Sequence, residues 1–455
     1  MKRSVIMVAP FNTRSGYGDH ARSLFYSIMD REDLDIKCID TKWGNTPRNH
    51  LRPEVPRHKK LLGTFINQDQ VQGQPDVLID IRIPNEFASG AKINIGVTAG
   101  VETDVVSPEF LDGMNRMNFN IVPSRFTAET FNRCSYDKME DLPNGEKRKA
   151  GSLKNEKPIK VLFEGVDTDV YYPKDKYQTK KEDPILYDEL DELITEDFAY
   201  LHVGQWGKGG FGEDRKNIGT LIKSFLKAFS NIPNPPALVL KTNGANFSVL
   251  DRVDIKKKIQ KVKDMFKGVD LPNIYLIHGD FTIKEMSTLY NHPKIGAFIT
   301  CTHGEGFGRP MLEASCCDLP VIASKWSGHM DFLSDSESML IDGFLKEVPK
   351  AALWKGIIVE PSKWFDVNEA DVVRKIRTFH KKRKLIQKKA TRLGKKNRRE
   401  FSLKAMAKEF NQIIDELLKS IPQGVSLKLP KLNKVGDNKP KEPAKIKLPK
   451  LKKVT

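Results

Sequence analysis

The chain has 455 residues, of which 39% are hydrophobic and 30% charged, and its formal net charge is +17. This length predicts two or three domains, and the apolar content excludes a wholly disordered chain, a collagen-like repeat and a small disulfide-stapled scaffold. Five scattered cysteines without CxxC spacing predict a reducing, cytoplasmic compartment. No apolar run reaches the roughly 18 residues of a membrane span, so none is expected.

The first part of the chain alternates short apolar runs with helix-like patterns, which predicts a parallel α/β sheet. The predicted strands are SVIMVAP, DIKCID, DVLIDI, KINIGVT and FNIVPS. The first strand is followed by the loop FNTRSGYGD, where Gly16 and Gly18 allow close backbone approach at the start of a helix. Simple turn chemistry explains these glycines equally well. The polar segment 137–158 is expected to be a surface insertion.

A second alternating pattern follows, with predicted strands AYLHVGQW, PALVLKT, IYLIHGD, IGAFITC and PVIAS. Two successive α/β units of similar size predict two Rossmann-like domains that face a cleft, which is the default place for a ligand. We expect the first domain at residues 1–165 and the second at residues 166–400.

The stretch CTHGEGFGRPMLEASCC carries the most specific pattern. Glu305 and Glu313 are separated by seven residues, and Gly306 and Gly308 flank Phe307 just before a proline. A glycine-bearing loop that enters a helix presents backbone N–H groups and the positive end of the helix dipole, which suits a diphosphate. The two glutamates can accept hydrogen bonds from hydroxyl groups on different parts of one ligand.

The positive charge is concentrated near the carboxyl-terminal end. Residues 371–400 carry fourteen Lys or Arg against two acids, a net +12, and residues 422–455 carry ten Lys against two acids, a net +8. The rest of the chain therefore has a net charge of −3. Apolar residues at three- and four-residue spacing predict an amphipathic helix over residues 371–400. Its cationic face is either a solvated surface or a platform for phosphate backbones or anionic lipids.

The last segment is poor in apolar bulk and rich in Lys and Pro, which predicts a disordered tail at residues 422–455. It contains two similar units, LKLPKLNKV and IKLPKLKKV. Such a repeat indicates either bivalent docking to an acidic partner or low-complexity drift. We therefore expect an anionic surface or an acidic partner for residues 371–400 and 422–455.

The sequence EGFGRPMLEA is similar to the E-x7-E signature of retaining GT-B glycosyltransferases of group 1, a family 4-like pattern. The segments IVPSRFTAETF, VLFEGVDTDVYYP and IHGDFTIKEMSTLYNHPKIGAFITC resemble other parts of that family in the same order. FSLKAMAKEFNQIIDELL resembles its closing helix, which implies that residues 401–421 pack back on the amino-terminal domain. The resemblance covers residues 1–420 approximately and implies a GT-B fold.

The resemblance also implies roles for residues of the signature. Glu305 would contact the donor sugar, and Glu313 would bind the nucleotide ribose. The backbone amides of Gly306, Phe307 and Gly308 would meet the phosphates. Such enzymes generally lack an obvious protein nucleophile, so no catalytic base is expected.

A basic pair of the same family is matched best by Arg215 and Lys216, in VGQWGKGGFGEDRKNIGTLIKSF. These cations would stabilise the charge that develops on the diphosphate leaving group, without a metal. A solvated helix start is the alternative explanation, but cations there oppose the helix dipole and need an anionic counterpart. Lys241 ends a predicted strand and is a further candidate for the diphosphate.

On the acceptor side, Glu102 in GVTAGVETD resembles a glutamate that the family places at the cleft. Gly16, Tyr17 and Gly18 would form the loop over the reaction centre. The DTD triplet at residues 167–169 has the spacing of a metal-binding pair but lies in the interdomain segment, and two carboxylates give no Mg²⁺ specificity. We expect no metal, and no cofactor other than the nucleotide-sugar co-substrate.

These patterns together predict a retaining, metal-independent glycosyltransferase that uses a nucleotide-sugar donor, with UDP as the first choice. The acceptor would be a hydroxyl of a glycan, a lipid-linked sugar or a protein. Hydroxylated bases of DNA are an alternative acceptor, and the basic segments would then grip phosphates. A catalytically idle sugar-nucleotide binder is a third reading. The basic segments extend the expected location to a membrane periphery or to nucleic acid.

Overall fold

Two six-stranded parallel sheets organise the computed structural model, which describes residues 2–141, 146–207, 209–244 and 247–421. The tail at residues 422–455, which the sequence predicts to be disordered, lies outside the described residues. The predicted α/β class with two Rossmann-like sheets is confirmed, whereas the domain boundaries after residues 165 and 400 stay predictions.

The first sheet has the strand order β2-β1-β3-β4-β5-β8, and all of its neighbouring strands are parallel. The strands of this part are β1 Arg3–Ala9, β2 Leu34–Asp40, β3 Val77–Ile81, β4 Ile93–Val97, β5 Phe119–Val122, β6 Ser135–Asp141, β7 Lys147–Lys154 and β8 Ile159–Val161. Its helices are α1 Gly16–Ile28, α2 Pro56–Leu62, α3 Pro108–Arg116 and α4 Arg125–Arg133. Every residue of β3 and β4 is buried, because helices cover both faces of a parallel sheet.

The second sheet has the order β11-β10-β9-β12-β13-β14 and is also parallel throughout. Its strands are β9 Ala199–Val203, β10 Ala237–Lys241, β11 Ile274–Ile277, β12 Ile295–Ile299, β13 Val321–Ser324 and β14 Met339–Ile341. Its helices are α5 Lys176–Glu182, α6 Pro184–Leu193, α7 Ile218–Phe229, α8 Val249–Lys263, α9 Ile283–Asn291 and α10 Arg309–Cys316. This order is that of a doubly wound dinucleotide-binding sheet.

Two antiparallel hairpins lie outside these sheets. One pairs β6 with β7, and the other pairs β15 Gly343–Glu347 with β16 Lys363–Val367. The first hairpin occupies most of the polar segment 137–158, and β7 exposes most of its residues as expected of a surface insertion. All five cysteines are buried and none forms a disulfide.

Two long helices close the described chain, α11 Glu369–Glu400 and α12 Leu403–Lys419. The predicted amphipathic helix is confirmed in α11, with a kink at Lys382, where the backbone leaves helical geometry. The apolar residues that predicted it are all buried, namely Val372, Ile376, Phe379, Ile386, Ala390 and Leu393. In α12, Asn411 donates to the carbonyl of Ser27 at the end of α1. No helix in the described part of the chain is both long and apolar enough to cross a membrane.

Candidate functional site

The site lies where the strand order of the second sheet reverses, between β9 and β12. The loops after these neighbouring strands leave the same edge, because carboxyl ends of parallel strands are aligned, and a crevice at such a point is the usual ligand position of this sheet type. The loop after β9 carries Arg215 and Lys216, and the loop after β12 carries Glu305. The fold therefore brings Glu305 together with Arg215 and Lys216, which lie about 90 positions earlier in the sequence.

Glu305 holds both cations at once. Lys216 Nζ lies 2.5 Å from Glu305 Oε1, and Arg215 Nη1 lies 3.2 Å from Glu305 Oε2. Thr302 Oγ1 donates to Oε1 at 2.8 Å, and the carboxylate is buried. Burial alone would raise the pKa of Glu305, but Lys216 and Arg215 outweigh it and lower the pKa to about 2. The site is a pre-assembled ion cluster with a permanently ionised carboxylate.

Arg215 and Lys216 stand directly before α7, where cations oppose the helix dipole. The structure supplies the anionic counterpart that this position requires, since Arg215 Nε also lies 3.5 Å from Glu102 Oε1. The amide of His303 donates to the Arg215 carbonyl at 2.8 Å, so backbone contacts join the two loops. Glu102, predicted from the first sheet, thus reaches the same cluster.

The glycines of the signature serve close packing between loops of the two sheets. A Cβ on Gly306 would collide with the carbonyl oxygen of Ala99, which follows β4. Gly308 adopts a φ of +98° immediately before α10, a conformation that favours glycine. Ser124 Oγ donates to the carbonyl of Gly306 at 2.7 Å. The loop after β12 is therefore held against the first sheet through its backbone.

The same loop presents free backbone donors. In the described residues, the amides of Gly306, Phe307 and Gly308 donate to no protein acceptor. The side chain of Phe307 turns inward, with its ring 5.2 Å from that of Phe332. The predicted grouping of amides before α10 is thus present, and the phenyl ring itself belongs to the core.

Glu313 lies in the second turn of α10 and is also buried. Tyr290 Oη donates to its Oε2 at 3.3 Å, and Arg309 Nη2 contacts its Oε1 at 3.2 Å. Burial raises the pKa of Glu313, and Arg309 opposes the rise. Arg309 also reaches across to the first sheet, where its Nη1 lies 3.4 Å from Asp19 Oδ2. Sequence reasoning missed Arg309, although it stands inside the signature.

A further buried carboxyl, that of Glu164, has no such partners. It lies in the segment that joins the two sheets, is 7% exposed, and makes no hydrogen bond or ion pair with any described residue. Burial, supported by Asp19, Glu313 and Glu305 and opposed by Arg309, raises the pKa of Glu164 to about 7. Nothing in the residue pattern distinguished this glutamate before the structure placed it near the cluster.

Around the first sheet, the loop after β1 leads directly into α1. Burial raises the pKa of Tyr17, and two contacts of its hydroxyl oppose the rise: Oη lies 2.9 Å from Thr98 Oγ1 and accepts from the amide of Ala99 at 3.1 Å. A Cβ on Gly18 would crowd the carbonyl of Thr13, whereas Gly16 has open space around it. Close backbone approach therefore applies to Gly18 alone.

Lys241 lies apart from the ion cluster. Its Nζ donates to the carbonyl of Gly279 at 2.7 Å and faces the ring of Phe281, and among the described residues it pairs with neither glutamate of the signature. Burial lowers the pKa of Lys241 to about 8. The side chain occupies the expected sheet edge but a different part of it.

No group of three or more His, Cys, Asp or Glu that could hold a metal occurs among the described residues. In the DTD triplet, Asp167 Oδ1 accepts from the amide of Asp169 at 3.1 Å, which is a local turn. Metal independence stays a prediction.

Comparison with known proteins agrees with this geometry. Residues 214–360 match the family described as "Glycosyl transferases group 1". The match contains Arg215, Lys216, Glu305 and Glu313. The Staphylococcus aureus capsular polysaccharide biosynthesis glycosyltransferase CapM is 25% identical over 196 residues, which are 43% of this chain and 44% of CapM. The chain thus spans less than half the length of that relative.

Solved structures extend the likeness to nearly the whole chain. Sucrose-phosphate synthase from Thermosynechococcus elongatus has a TM-score of 0.61 at 13% identity, over 92% of this chain and 100% of that chain. Anabaena HepE in complex with UDP-glucose has a TM-score of 0.56 at 14% identity, over 91% of this chain and 99% of that chain. These similarities confirm the predicted GT-B fold.

Proposed function

We propose that the protein is a retaining glycosyltransferase that takes a sugar from a nucleotide-sugar, with a UDP-sugar as the first donor to test. One observation carries the proposal: Glu305 is buried and clamped between Lys216 and Arg215 at the point where the second sheet reverses. Three fixed charges at a ligand crevice are suited to a reaction whose leaving group gains negative charge.

The two cations would stabilise the departing nucleoside diphosphate. Lys216 and Arg215 are already oriented by Glu305 and Glu102, so little reorganisation is required when charge develops. The free amides before α10 add uncharged donors for phosphate oxygens. With these groups the leaving group needs no metal, and we propose metal-independent transfer.

The glutamates would divide the donor between them. Glu305 would accept a hydrogen bond from the sugar, and Glu313 would accept from the ribose. A carboxylate offers about four lone-pair sites, and Glu313 uses two of them on Tyr290 and Arg309. The UDP-glucose in the HepE structure supports a UDP-sugar as the first choice.

A hydroxyl of a glycan, a lipid-linked sugar or a protein is the proposed acceptor. The name of CapM, a capsular polysaccharide biosynthesis glycosyltransferase, supports a glycan first. Transfer to hydroxylated DNA is a second outcome that the same experiment can report.

The test is transfer of label from radioactive UDP-, GDP- and ADP-sugars with EDTA present, offering a glycan and lipid extract and hydroxymethylated DNA separately. We expect UDP-sugar turnover in EDTA and a loss of about 10³-fold in Glu305→Gln. Glu347→Gln, an exposed glutamate on β15, is the matched control and should keep wild-type turnover.

Retention is read from the anomeric configuration of the product. An inverted product would contradict the retaining mechanism, and loss of turnover with EDTA would contradict metal independence. Binding of UDP-sugar without turnover in either acceptor mixture would favour the idle binder. Removing the carboxylate leaves buried Lys216 and half-buried Arg215 without their counterpart, which can destabilise the fold. Thermal unfolding of Glu305→Gln therefore separates lost chemistry from lost folding.

A further inference from the structure

One face of α11 carries cations along nearly its whole length. Exposed Lys and Arg recur at intervals of three or four residues, which places eight of them within an arc of about 80° over roughly 40 Å of helix. They are Arg374, Arg377, Lys381, Lys384, Lys388, Arg392, Lys395 and Arg399. We call these eight residues the cationic stripe.

The stripe lies opposite the buried face on both sides of the kink at Lys382. Before the kink, Ile376 and Phe379 are buried, and after it, Ile386 and Ala390 are buried. At about 100° per residue these four positions lie on the side of the helix away from the stripe. The kink therefore leaves the stripe as one continuous outer row.

Most stripe cations lack an acidic partner. Arg374 pairs with Asp371 and Arg399 pairs with Glu400, and the other six form no ion pair with any described residue. The sequence has no Asp or Glu from residue 372 to residue 399. Like charges three and four residues apart destabilise a helix, so this row carries an uncompensated repulsion. A negatively charged surface would relieve it.

Two other features accompany the stripe. Leu385 is 57% exposed between Lys384 and Lys388, so an aliphatic side chain projects beside the cations. At the start of the helix, a shallow cavity of about 320 Å³ is lined by Ala370, Val373, Arg374, Arg377, Thr378 and Lys381. Three cations line the cavity, of which Arg374 pairs with Asp371 and Arg377 donates to the carbonyls of Ala228 and Lys227.

We propose that the cationic stripe docks this protein on a lipid bilayer that contains anionic phospholipids. The inference rests on α11 alone and does not depend on the proposed glycosyl transfer. Each Lys or Arg side chain close to the bilayer surface is attracted to an anionic leaflet. An apolar side chain among them stabilises binding when it is buried at the boundary of the acyl chains.

A bilayer fits these observations better than nucleic acid does. A single narrow row of cations meets a flat surface, whereas a helix in a DNA groove contacts phosphates on both of its sides and reads base edges between them. Phe379 is the single Phe, Tyr or Trp of residues 371–400, and its buried ring is not available to stack on bases. Leu385 has no counterpart to contact on a phosphate backbone.

The experiment is co-sedimentation of the full chain with vesicles of phosphatidylcholine containing about 30% phosphatidylglycerol, at about 0.1 M salt. The stripe variant combines Lys381→Gln, Lys384→Gln, Lys388→Gln and Lys395→Gln. At about 1 kcal/mol per cation, we expect its vesicle affinity to fall by roughly 10²- to 10³-fold. Pure phosphatidylcholine should bind neither protein.

A control variant removes the same charge elsewhere, through Lys256→Gln, Lys257→Gln, Lys261→Gln and Lys267→Gln. These exposed lysines lie on or just after α8. We expect it to bind within about threefold of wild type, because its residues are not in the stripe. An equal loss in both variants, or a loss below about threefold in the stripe variant, would overturn the proposal.

Binding to a random-sequence DNA duplex, measured in the same buffer, distinguishes nucleic acid from an anionic bilayer as the partner of the stripe. Tighter binding to duplex than to vesicles, with the larger loss in the stripe variant, would assign the surface to nucleic acid instead. Leu385→Gln sharpens the distinction, because it should weaken vesicle binding by roughly threefold to tenfold and leave duplex binding unchanged. Unchanged thermal unfolding of all variants shows that the surface, and not the fold, was altered.

Discussion

Two regions of this protein are rich in cations, and they differ in how the charge is balanced. Arg215 and Lys216 are enclosed between two sheets, and each contacts the carboxylate of Glu305. The cationic stripe of α11 is exposed, and six of its eight cations contact no acid among the described residues. The protein therefore holds one set of cations by specific pairing and leaves the other set open to solvent.

The difference sets how each region responds to substitution. In the enclosed cluster, removing one partner leaves a buried charge without its counterpart, which typically costs about 3 to 5 kcal/mol. An exposed cation interacts weakly with its neighbours through water, so a single loss has little effect and only the sum over the row is large. One region acts through individual contacts and the other acts collectively.

Among the cations, the largest effect is expected from Lys216→Met, which keeps most of the length of the side chain and removes its charge. Transition-state stabilisation by one preorganised cation is worth about 10²- to 10³-fold in kcat, so kcat should fall by that factor while KM for the donor changes little. Steady-state release of UDP from the donor measures both. Lys227→Met, on the exposed side of α7, is the control and should leave kcat unchanged.

A rise in KM with an unchanged kcat would contradict this role for Lys216. It would mean that Lys216 stabilises the bound donor and the transition state equally. Arg215 would then be the cation of the cluster that stabilises the charge developing on the leaving group.

The second effect concerns two buried carboxyls whose pKa values are shifted in opposite directions, those of Glu164 and Glu305. Glu164 has a pKa raised to about 7, so folding favours its protonated form, and the stability it contributes is lost as pH rises through about 7. Glu164→Gln mimics that neutral form. The variant should be more stable than wild type by about 3 kcal/mol near pH 8 and equal to it below about pH 4, as measured by urea unfolding.

Glu305→Gln provides the opposite sign in the same experiment. Its carboxyl has a pKa lowered to about 2, so its contribution is present above the ordinary range of a glutamate and is lost as pH falls toward 2. That variant should be less stable than wild type at neutral pH. If Glu164→Gln is also destabilised near pH 8, then the ionised form of Glu164 is needed by the fold.

Most strands of the two parallel sheets could be predicted from the sequence, because they are short apolar runs between helical patterns. β3 and β4 are buried along their whole length, and that burial is what their composition reflects. The β6–β7 hairpin was not predicted as strands, because it lies outside the sheets and buries little, and its polar residues show no alternation in hydropathy. A buried strand is recognised by its apolar composition, whereas an exposed hairpin has no such composition.

Residues of the site could be predicted from the sequence where they share one short motif. Contacts between distant segments of the chain could not be predicted. Glu305 and Glu313 are on one loop and helix, so their spacing identified them. The contact of Arg309 with Asp19 joins the two sheets and depends on how they face each other. Lys241 shows the same limit, since its strand was predicted but the direction of its side chain depends on the carbonyl of Gly279.

The smallest effect is expected in the stripe itself, and its sign is informative. Lys384→Gln removes a charge that lies three residues after Lys381 and four before Lys388, so it should stabilise the protein by about 0.2 to 0.5 kcal/mol. Turnover should not change. Urea unfolding at low ionic strength measures the difference, which salt should abolish, because screening removes the repulsion.

Lys258→Gln is the matched comparison on α8, where Nζ of Lys258 lies 3.2 Å from Asp254 Oδ2, one helical turn before it. That change breaks an attractive pair, together with contacts of Lys258 to the carbonyl of Gly207 and the ring of Trp206, and should destabilise the protein by at least about 0.2 to 0.5 kcal/mol. A destabilised Lys384→Gln would mean that the stripe already has an anionic counterpart. The row would then be a balanced surface like α8, and the repulsion that a bilayer is proposed to relieve would not exist.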